Sequence, residues 1–275
     1  MKNRLAVCTV TFQKKAPEEF LPVIAKLGFT NIDIWHRQLR ADMTKAELEK
    51  IVDLAASFGL RIVSLCGSFG SKYMDASEEI RETGLEMDKR WIDLAADIGA
   101  KVARVFLGTI EREDKVFSVG VPYLRRLVEY AGQKGIVLGM ENHRGYYSGI
   151  PEGAIKICQE IKSAYLGILY EPGNLLGEGY DFQEEFYHQA PYIVHLHLKD
   201  GYPAYYDDKY GKGYRLHSTL LGKGDLDIPW IFKHLKEINY QGYVSVEYES
   251  WHEEYNLPPI KEGLTACNAY LKKII

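Results

Sequence analysis

Apolar positions along the chain recur with two spacings that alternate. Helical spacing, with apolar side chains at i, i+3, i+4 and i+7, marks residues 48–55, 87–98 and 124–131. Each of these segments is followed, after a glycine, by a short apolar run rich in valine, isoleucine and leucine, which is typical of a buried strand. We therefore predict helices whose apolar stripes, Met87 and Trp91 among them, pack against a sheet.

A glycine stands where each of four predicted helices ends. Glycine adopts the left-handed conformation that stops a helix, and these four glycines lie 31 to 40 residues apart. A strand–helix unit of an α/β barrel averages roughly 30 residues. The chain is thus predicted to repeat one strand–helix unit, punctuated by Gly28, Gly59, Gly99 and Gly135.

Eight alternating units favour an α/β fold, a closed (β/α)₈ barrel of the TIM type that spans residues 1–275 as a single domain. A doubly wound open sheet is the alternative, but no GxGxxG motif follows the first strand. A stretch rich in tyrosine and glycine at about 200–227 is predicted as a long irregular loop, and loops of that length are usually functional. The predicted strands are 5–11, 30–35, 61–66, 101–107, 136–141, 165–171, 193–199 and 243–248.

The composition narrows the classes of protein to which the chain can belong. Its 275 residues are 46% hydrophobic, enough for a large core, and its net charge of −4 argues against a nucleic-acid-binding surface. No apolar run approaches the roughly 20 residues of a membrane helix, and the N-terminus is too polar for a signal peptide. Four dispersed cysteines without a CxxC pair indicate reduced thiols. We expect a cytoplasmic protein that binds neither nucleic acid nor membrane.

Strand parity predicts which side chains point into the barrel. Alternate residues of a barrel strand face the helices and the interior, and the helix-facing set is apolar. On each of the last four strands this leaves one ionisable residue pointing inward near the C-terminal end, where barrel enzymes build their sites. Three crowded carboxylates repel each other unless a cation lies between them, so we predict a divalent metal site. The four residues are Glu141, Glu171, His197 and Glu247.

Further polar residues are predicted near the same end of the barrel. Arg104 points inward if its neighbours face the helices, and we expect it to pair with a carboxylate such as Asp33 or with a substrate. Lys199 is expected either to stabilise an oxyanion or to form a buried ion pair, for example with Asp200. The remaining candidates for contact with a substrate are Trp35, His36 and His143.

Five motifs, taken together, resemble the sugar phosphate isomerase/epimerase superfamily, the xylose isomerase-like barrels. The superfamily also includes tagatose-type epimerases, hydroxypyruvate isomerase, inosose dehydratase, dehydroshikimate dehydratase and endonuclease IV. The resemblance follows the strand order over essentially the whole chain. The motifs are GMENH at 139–143, YEPGN at 170–174, HLHLKD at 195–200, LGKGDLD at 221–227 and GYVSVEYE at 242–249.

The resemblance implies a single bound Mn, Zn, Mg or Co ion with Glu141, Glu171, His197 and Glu247 as its ligands. This chain departs from the family at strand 6, where the family usually has aspartate and the longer Glu171 stands here. Asn174 occupies the position at which some members place a second histidine. In the resembling epimerases the glutamates of strands 5 and 8 exchange a proton next to a carbonyl, which assigns the acid and base roles to Glu141 and Glu247.

The function implied by the resemblance is a metal-dependent isomerisation or epimerisation of a small sugar or keto-sugar through an enediolate. A dehydratase of the inosose or dehydroshikimate type is one alternative, because it forms the same enolate. A degenerate, non-catalytic sugar-binding barrel is another, because Glu171 departs from the family pattern. Barrels of this size commonly form homodimers or homotetramers. The tyrosines of the 200–227 stretch are expected to form either a stacking lid or a dimer contact.

Overall fold

Eight parallel strands close into a barrel in the computed structural model, which describes residues 2–110, 112–208 and 211–275. The barrel strands are β1 (Leu5–Cys8), β2 (Asn31–Trp35), β3 (Arg61–Phe69), β4 (Val102–Val105), β5 (Val137–Glu141), β6 (Leu166–Tyr170), β7 (Ile193–Leu198) and β10 (Val244–Val246). Neighbouring strands follow one another in chain order around the barrel, and β1 pairs with β10 to close it. The predicted fold class, a TIM barrel, is confirmed.

Helices surround the barrel and connect successive strands. They are α1 (Pro17–Lys26), α2 (Lys45–Ser57), α3 (Glu78–Asp97), α4 (Glu113–Lys115), α5 (Val121–Gln133), α6 (Pro151–Ile161), α7 (Pro172–Gly177), α8 (Phe182–Gln189), α9 (Ile228–Glu237) and α10 (Ile260–Ile274). None of the helices in the described ranges combines the length and the apolar character that crossing a membrane requires.

The apolar core lies between the barrel strands and these helices, as the alternation of residues along the strands requires. Val244 and Val246 of β10 belong to this core, whereas Ser245 between them faces a polar interior and contacts His195. The helical stripes pack as predicted, with one correction. Met87 is 41% exposed, whereas Leu94 and Ala95 of the same predicted stripe are buried together with Leu85 and Ile92.

The four glycines predicted to end helices all have positive φ angles. Gly28, Gly59, Gly99 and Gly135 have φ between 70° and 83°, the left-handed region that side chains with a Cβ rarely adopt. Each glycine directly precedes the residue or two that lead into the next strand. The glycine spacing therefore sets the length of the strand–helix unit.

The 200–227 stretch differs most from its prediction. Most of it forms an antiparallel hairpin of β8 (Asp200–Asp208) and β9 (Gly211–Thr219), in which Asp200 pairs with Thr219 and Asp208 with Gly211. The hairpin pairs its own backbone groups, so it does not need partners from the barrel. Tyr210, one of the tyrosines of this stretch, lies outside the described residues.

Candidate active site

Four ionisable side chains converge inside the barrel at the C-terminal ends of neighbouring strands. Glu141 ends β5, Glu171 follows β6, His197 lies in β7 and Glu247 follows β10. One donor atom of each residue lies within 4.8 Å of the corresponding atom of every other, and all four side chains are buried. The structure thus brings together the four residues that parity selected. We call this set the carboxylate cluster.

Arg104 holds the first of these carboxylates. Its Nη1 donates to Oε2 of Glu141 at 2.9 Å, and its Nε donates to the carbonyl oxygen of Gly67 at 2.7 Å. Burial alone raises the pKa of Glu141, but the Arg104 guanidinium and the His197 ring outweigh it and hold that pKa well below its usual range. Arg104 therefore pairs with a carboxylate, as expected, but its partner is Glu141 rather than Asp33.

His197 lies between two carboxylates. Its Nδ1 donates to Oε1 of Glu141 at 2.9 Å and its Nε2 donates to Oδ2 of Asp33 at 2.8 Å. Burial lowers the pKa of His197, yet hydrogen bonds and charge from the two carboxylates raise it well above its usual range. His195 lies beside it, 3.3 Å from the same Asp33 oxygen and 2.8 Å from the Ser245 hydroxyl.

Lys199 supplies positive charge to the two carboxylates of the cluster that Arg104 does not contact. Its Nζ lies 3.0 Å from Oε2 of Glu247, 3.5 Å from Oε1 of Glu249 and 4.0 Å from Oε2 of Glu171. The ion pair with Asp200 that was considered from the sequence does not form. Asp200 instead accepts backbone N–H groups of the 222–226 loop and of Gly201, which fixes the loop after the hairpin.

Among the carboxylates of the cluster, Glu171 lies farthest from a positively charged side chain. Its Oε1 accepts the N–H of Gly173 at 3.2 Å, while its buried Oε2 has no hydrogen-bond partner among the described residues. Burial raises the pKa of Glu171 well above its usual range, and although Lys199 lowers it, Glu247 and Glu141 raise it further. The cluster is therefore short of positive charge at this oxygen.

The donor set fits a divalent cation. A cation would compensate the unpartnered Glu171 oxygen, and three carboxylates with one imidazole suit Mg²⁺, Mn²⁺ or Zn²⁺. Asp33 would keep its hydrogen bond to Nε2 of His197 and leave Nδ1 as the nitrogen facing the carboxylates. Carboxylates orient ligating histidines in this way in metal sites. The extra methylene of Glu171 does not keep its carboxylate out of the cluster.

Two asparagines position the backbone around Glu171. The side-chain oxygen of Asn142 accepts the N–H of Glu171 at 3.3 Å, and the Asn142 amide donates to Gln189 at 3.0 Å. Asn174, which stands where some family members have a histidine, donates to the carbonyl oxygen of Asn142 at 2.7 Å. These bonds join the ends of β5 and β6, so they fix the separation of Glu141 and Glu171.

A cavity of about 460 Å³ opens beside the cluster. Among the described residues, its lining includes Lys199 and the exposed His143, whereas Trp35 and His36 lie outside it. The hairpin contributes to the wall through Arg215 and Leu216. The volume accommodates a small sugar. Lys199 both lines the cavity and contacts Glu247 of the carboxylate cluster.

Trp35 and His36 instead support the ends of β2 and β3. Nδ1 of His36 donates to the carbonyl oxygen of Cys66 at 3.2 Å, and its ring packs edge-on against Trp91 and Trp35. Burial lowers the pKa of His36 to about 4. The structure gives these two residues contacts with aromatic neighbours rather than with the carboxylate cluster.

The lowered pKa of His36 predicts a loss of stability in mild acid. The unfolded chain binds a proton near pH 6.5 but the folded protein does so only near pH 4, so the free energy of unfolding falls as the pH drops between these values. We expect this residue to account for about 2–3 kcal/mol of that loss. Urea unfolding at pH 7 and pH 4.5 should show a smaller difference for His36→Gln than for the unmodified chain. His188→Gln, which changes an exposed histidine, should leave the difference unchanged; equal behaviour of both variants would contradict the prediction.

Sequence reasoning missed several residues of the site. Asp33 was considered only as a partner of Arg104, although parity on β2, where Ile32 and Ile34 belong to the core, directs it inward. Glu249 accepts a hydrogen bond from Ser218 of the hairpin at 2.9 Å and contacts Lys199. Its position two residues after Glu247 gives it the same parity, which is the signal that would have identified it.

Fold and site define a parallel α/β barrel protein with a cluster of carboxylates and histidine at the C-terminal ends of its strands. The chain belongs to the xylose isomerase-like TIM barrel family, whose model matches residues 21–270. This match confirms the resemblance to the sugar isomerase/epimerase superfamily.

Individual relatives agree with this assignment. L-ribulose-5-phosphate 3-epimerase UlaE of Shigella flexneri is 24% identical over 263 residues, which cover 91% of this chain and 87% of the relative. A xylose isomerase-like TIM barrel protein of Mycobacterium smegmatis, solved in complex with magnesium, superposes with a TM-score of 0.76 at 19% identity and covers 98% of this chain and 96% of its own. D-psicose 3-epimerase of Clostridium cellulolyticum, solved with D-tagatose, has a TM-score of 0.79 at 10% identity and covers 98% and 99%.

Proposed function

We propose that this protein is a metal-dependent epimerase or isomerase of a small sugar, which transfers a proton at the carbon next to a carbonyl. The observation that carries the proposal is the carboxylate cluster, in which four donor atoms lie within 4.8 Å of one another inside the barrel. The sugar epimerase among the relatives and the magnesium-bound structural neighbour support the same function.

Glu141, Glu171, His197 and Glu247 would hold one divalent ion. When bound, such an ion polarises the carbonyl and neighbouring hydroxyl oxygens of a sugar, which stabilises negative charge next to the reacting carbon. The protein contributes the orientation of these four side chains. Asp33 holds the orientation of the His197 ring through its contact with Nε2.

Proton transfer is assigned to Glu141 and Glu247. An epimerase removes a proton from one face of the carbon and returns one to the other face, so it needs two groups on different sides of the sugar. Glu141 and Glu247 follow strands that are separated around the barrel by β6 and β7. Lys199 stabilises Glu247 as a carboxylate, and Arg104 does the same for Glu141, so either can begin as the base. The other glutamate then has to take up a proton from solvent before it can return one to the opposite face.

The remaining site residues are assigned to substrate binding or to structural support. Lys199 and His143 line the cavity and are suited to hydrogen bonds with sugar oxygens. Arg104 is assigned to support of Glu141, and Trp35 and His36 to packing beside β2 and β3.

Deuterium exchange tests the proposal. The protein is stripped with a chelator, loaded with Mn²⁺ and incubated in D₂O with a panel of ketoses and ketose phosphates, and NMR follows deuterium at the carbon next to the carbonyl. We expect incorporation together with an epimer or isomer, its loss in chelator and its return with Mn²⁺. Loss of water with an unsaturated product would favour the dehydratase alternative. Failure to bind metal and to exchange deuterium would favour a non-catalytic barrel.

A further inference from the structure

Two cysteines and a histidine form a second group of metal-binding side chains inside the barrel. Sγ of Cys8, Sγ of Cys66 and one ring nitrogen of His197 all lie within 4.8 Å of one another, and the three side chains are completely buried. Their neighbours Val7 and Leu65 belong to the core between strands and helices, which places the thiols on the interior face of the barrel. The two cysteines belong to β1 and β3, whereas the glutamates of the carboxylate cluster end or follow β5, β6 and β10.

The strand arrangement does not favour a disulfide between these cysteines. Cys8 of β1 pairs with Asp33 of the intervening strand β2. Cys66 of β3 pairs with Trp35, two residues further along β2. Two strand spacings of about 4.8 Å, combined with the two-residue offset between Asp33 and Trp35 along β2, put the two Cα atoms more than about 9 Å apart. A disulfide needs Cα atoms within about 6.8 Å. The two sulfur atoms are therefore close to each other, but the Cα atoms are too far apart for a disulfide.

A metal ion bridges such a separation without moving the strands. Ligand atoms of a tetrahedral site with bonds of about 2.0–2.3 Å lie roughly 3–4 Å apart, a spacing that small side-chain rotations give here. Two sulfurs and an imidazole nitrogen are soft donors, whereas the carboxylate cluster offers mainly hard oxygen donors. The two groups therefore differ in the cations they prefer, and both include His197.

We infer that Cys8, Cys66 and His197 form a second site, which shares His197 with the carboxylate cluster and takes a soft, thiophilic cation such as Cd²⁺. An ion bound there competes with the ion of the carboxylate cluster for His197; this competition, but not the site itself, rests on the proposed function. Thiophilic cations would then inhibit the enzyme, whereas Mg²⁺ and Mn²⁺ would support it.

Cadmium binding tests the site without any substrate. The full-length, metal-free, reduced protein is equilibrated with Cd²⁺, and the ultraviolet thiolate-to-cadmium charge-transfer absorption is recorded. We expect the band in the unmodified protein and its loss in Cys8→Ser and Cys66→Ser. The Cd²⁺ affinity of these variants should be at least about tenfold weaker, because removing even a residue that only hydrogen-bonds a metal ligand weakens metal binding by about that factor. Cys158→Ser and Cys267→Ser, which change buried cysteines of α6 and α10, are the matched controls and should keep the band.

Three further readouts keep the test decisive. Circular dichroism checks that each serine variant is folded, and the ¹¹³Cd NMR shift of the unmodified protein reports sulfur ligation even if a variant does not fold. Saturating Mn²⁺ should weaken Cd²⁺ binding if His197 is shared. Absence of the band, or its persistence in folded Cys8→Ser and Cys66→Ser, would overturn the site. An unchanged Cd²⁺ affinity in Mn²⁺ would overturn the sharing of His197. Loss of epimerase activity has no influence on any of these outcomes.

Discussion

Replacing Glu247 with glutamine is expected to slow proton exchange at the substrate carbon by about 10²–10⁴-fold, the contribution typical of a positioned general base. Glutamine has nearly the same shape but cannot accept the proton. The fold should survive, because Lys199 keeps Glu249 at 3.5 Å as a partner after the Glu247 charge is removed. Deuterium incorporation measured by NMR under saturating Mn²⁺ gives the rate, and urea unfolding gives the stability.

Glu249→Gln is the matched control for this prediction. Both glutamates contact Lys199, and they lie two residues apart on the same side of the chain, but only Glu247 belongs to the carboxylate cluster. We expect Glu249→Gln to change the exchange rate by no more than about tenfold, which corresponds to roughly 1.4 kcal/mol. Retained exchange in Glu247→Gln, or an equal loss in both variants, would contradict the assignment of Glu247 as a base.

The barrel could be predicted from the sequence because its information is local. A glycine at each helix end and an apolar stripe on each helix depend on residues only a few positions apart. The predicted start of β1 at residue 5 is correct, but its predicted C-terminal end was three residues too long, because Thr9–Phe12 forms a 3₁₀ helix after Cys8. The hairpin was missed because its polar and tyrosine-rich strands lack the apolar face by which buried strands are recognised.

The carboxylate cluster could be predicted because parity along a strand fixes the direction of each side chain. Parity does not predict which inward-pointing side chain pairs with which. Arg104 reaches Glu141 on the neighbouring β5, while Asp33 of β2 reaches His197 on the far side. These choices depend on the stagger of the strands and on side-chain length, which have no signature in a single sequence.

Glu171 shows where motif and structure carry different information. Its side chain is one methylene longer than the aspartate of the family pattern. On the sequence alone, this difference is the reason for considering a barrel that binds no metal. In the structure, hydrogen bonds between the side chains of Asn142 and Asn174 and nearby backbone groups set the position of the segment, and the carboxylate still reaches the cluster. The unpartnered buried oxygen of Glu171, rather than the residue type, is the feature that supports a cation site at the cluster.

The second large effect is expected on stability, from Arg104→Met. The Arg104–Glu141 pair is buried, with a 2.9 Å contact, and removing the guanidinium leaves a carboxylate in the barrel interior with His197 as its remaining charged partner. Breaking a buried ion pair in this way costs about 3–5 kcal/mol. Methionine is similar in length to the arginine stem, so loss of packing contributes little. Urea unfolding in chelator at pH 7.5 measures the change.

The exposed pair of Arg126 and Glu82 provides the comparison, because it has the same residue types. Arg126 donates to both Glu82 oxygens and lies over an aromatic ring, as Arg104 does, but its side chain is 45% exposed. Arg126→Met should therefore cost no more than about 1 kcal/mol. Equal costs for the two variants would show that burial of the Arg104 pair does not determine its contribution.

The cost of Arg104→Met should also depend on pH in one direction. In the unmodified protein the lowered pKa of Glu141 contributes stability above the pKa of the unfolded chain, and this contribution is lost as the pH falls through and below about 4.5. Without Arg104, burial raises that pKa, so protonation of Glu141 relieves the variant in acid. The difference between the two proteins should thus be largest near pH 7.5 and shrink towards pH 4. Adding Glu141→Gln to Arg104→Met should recover stability at pH 7.5, since the unpaired charge is then absent. A double variant no more stable than Arg104→Met alone would mean that the arginine acts through packing rather than through the Glu141 charge.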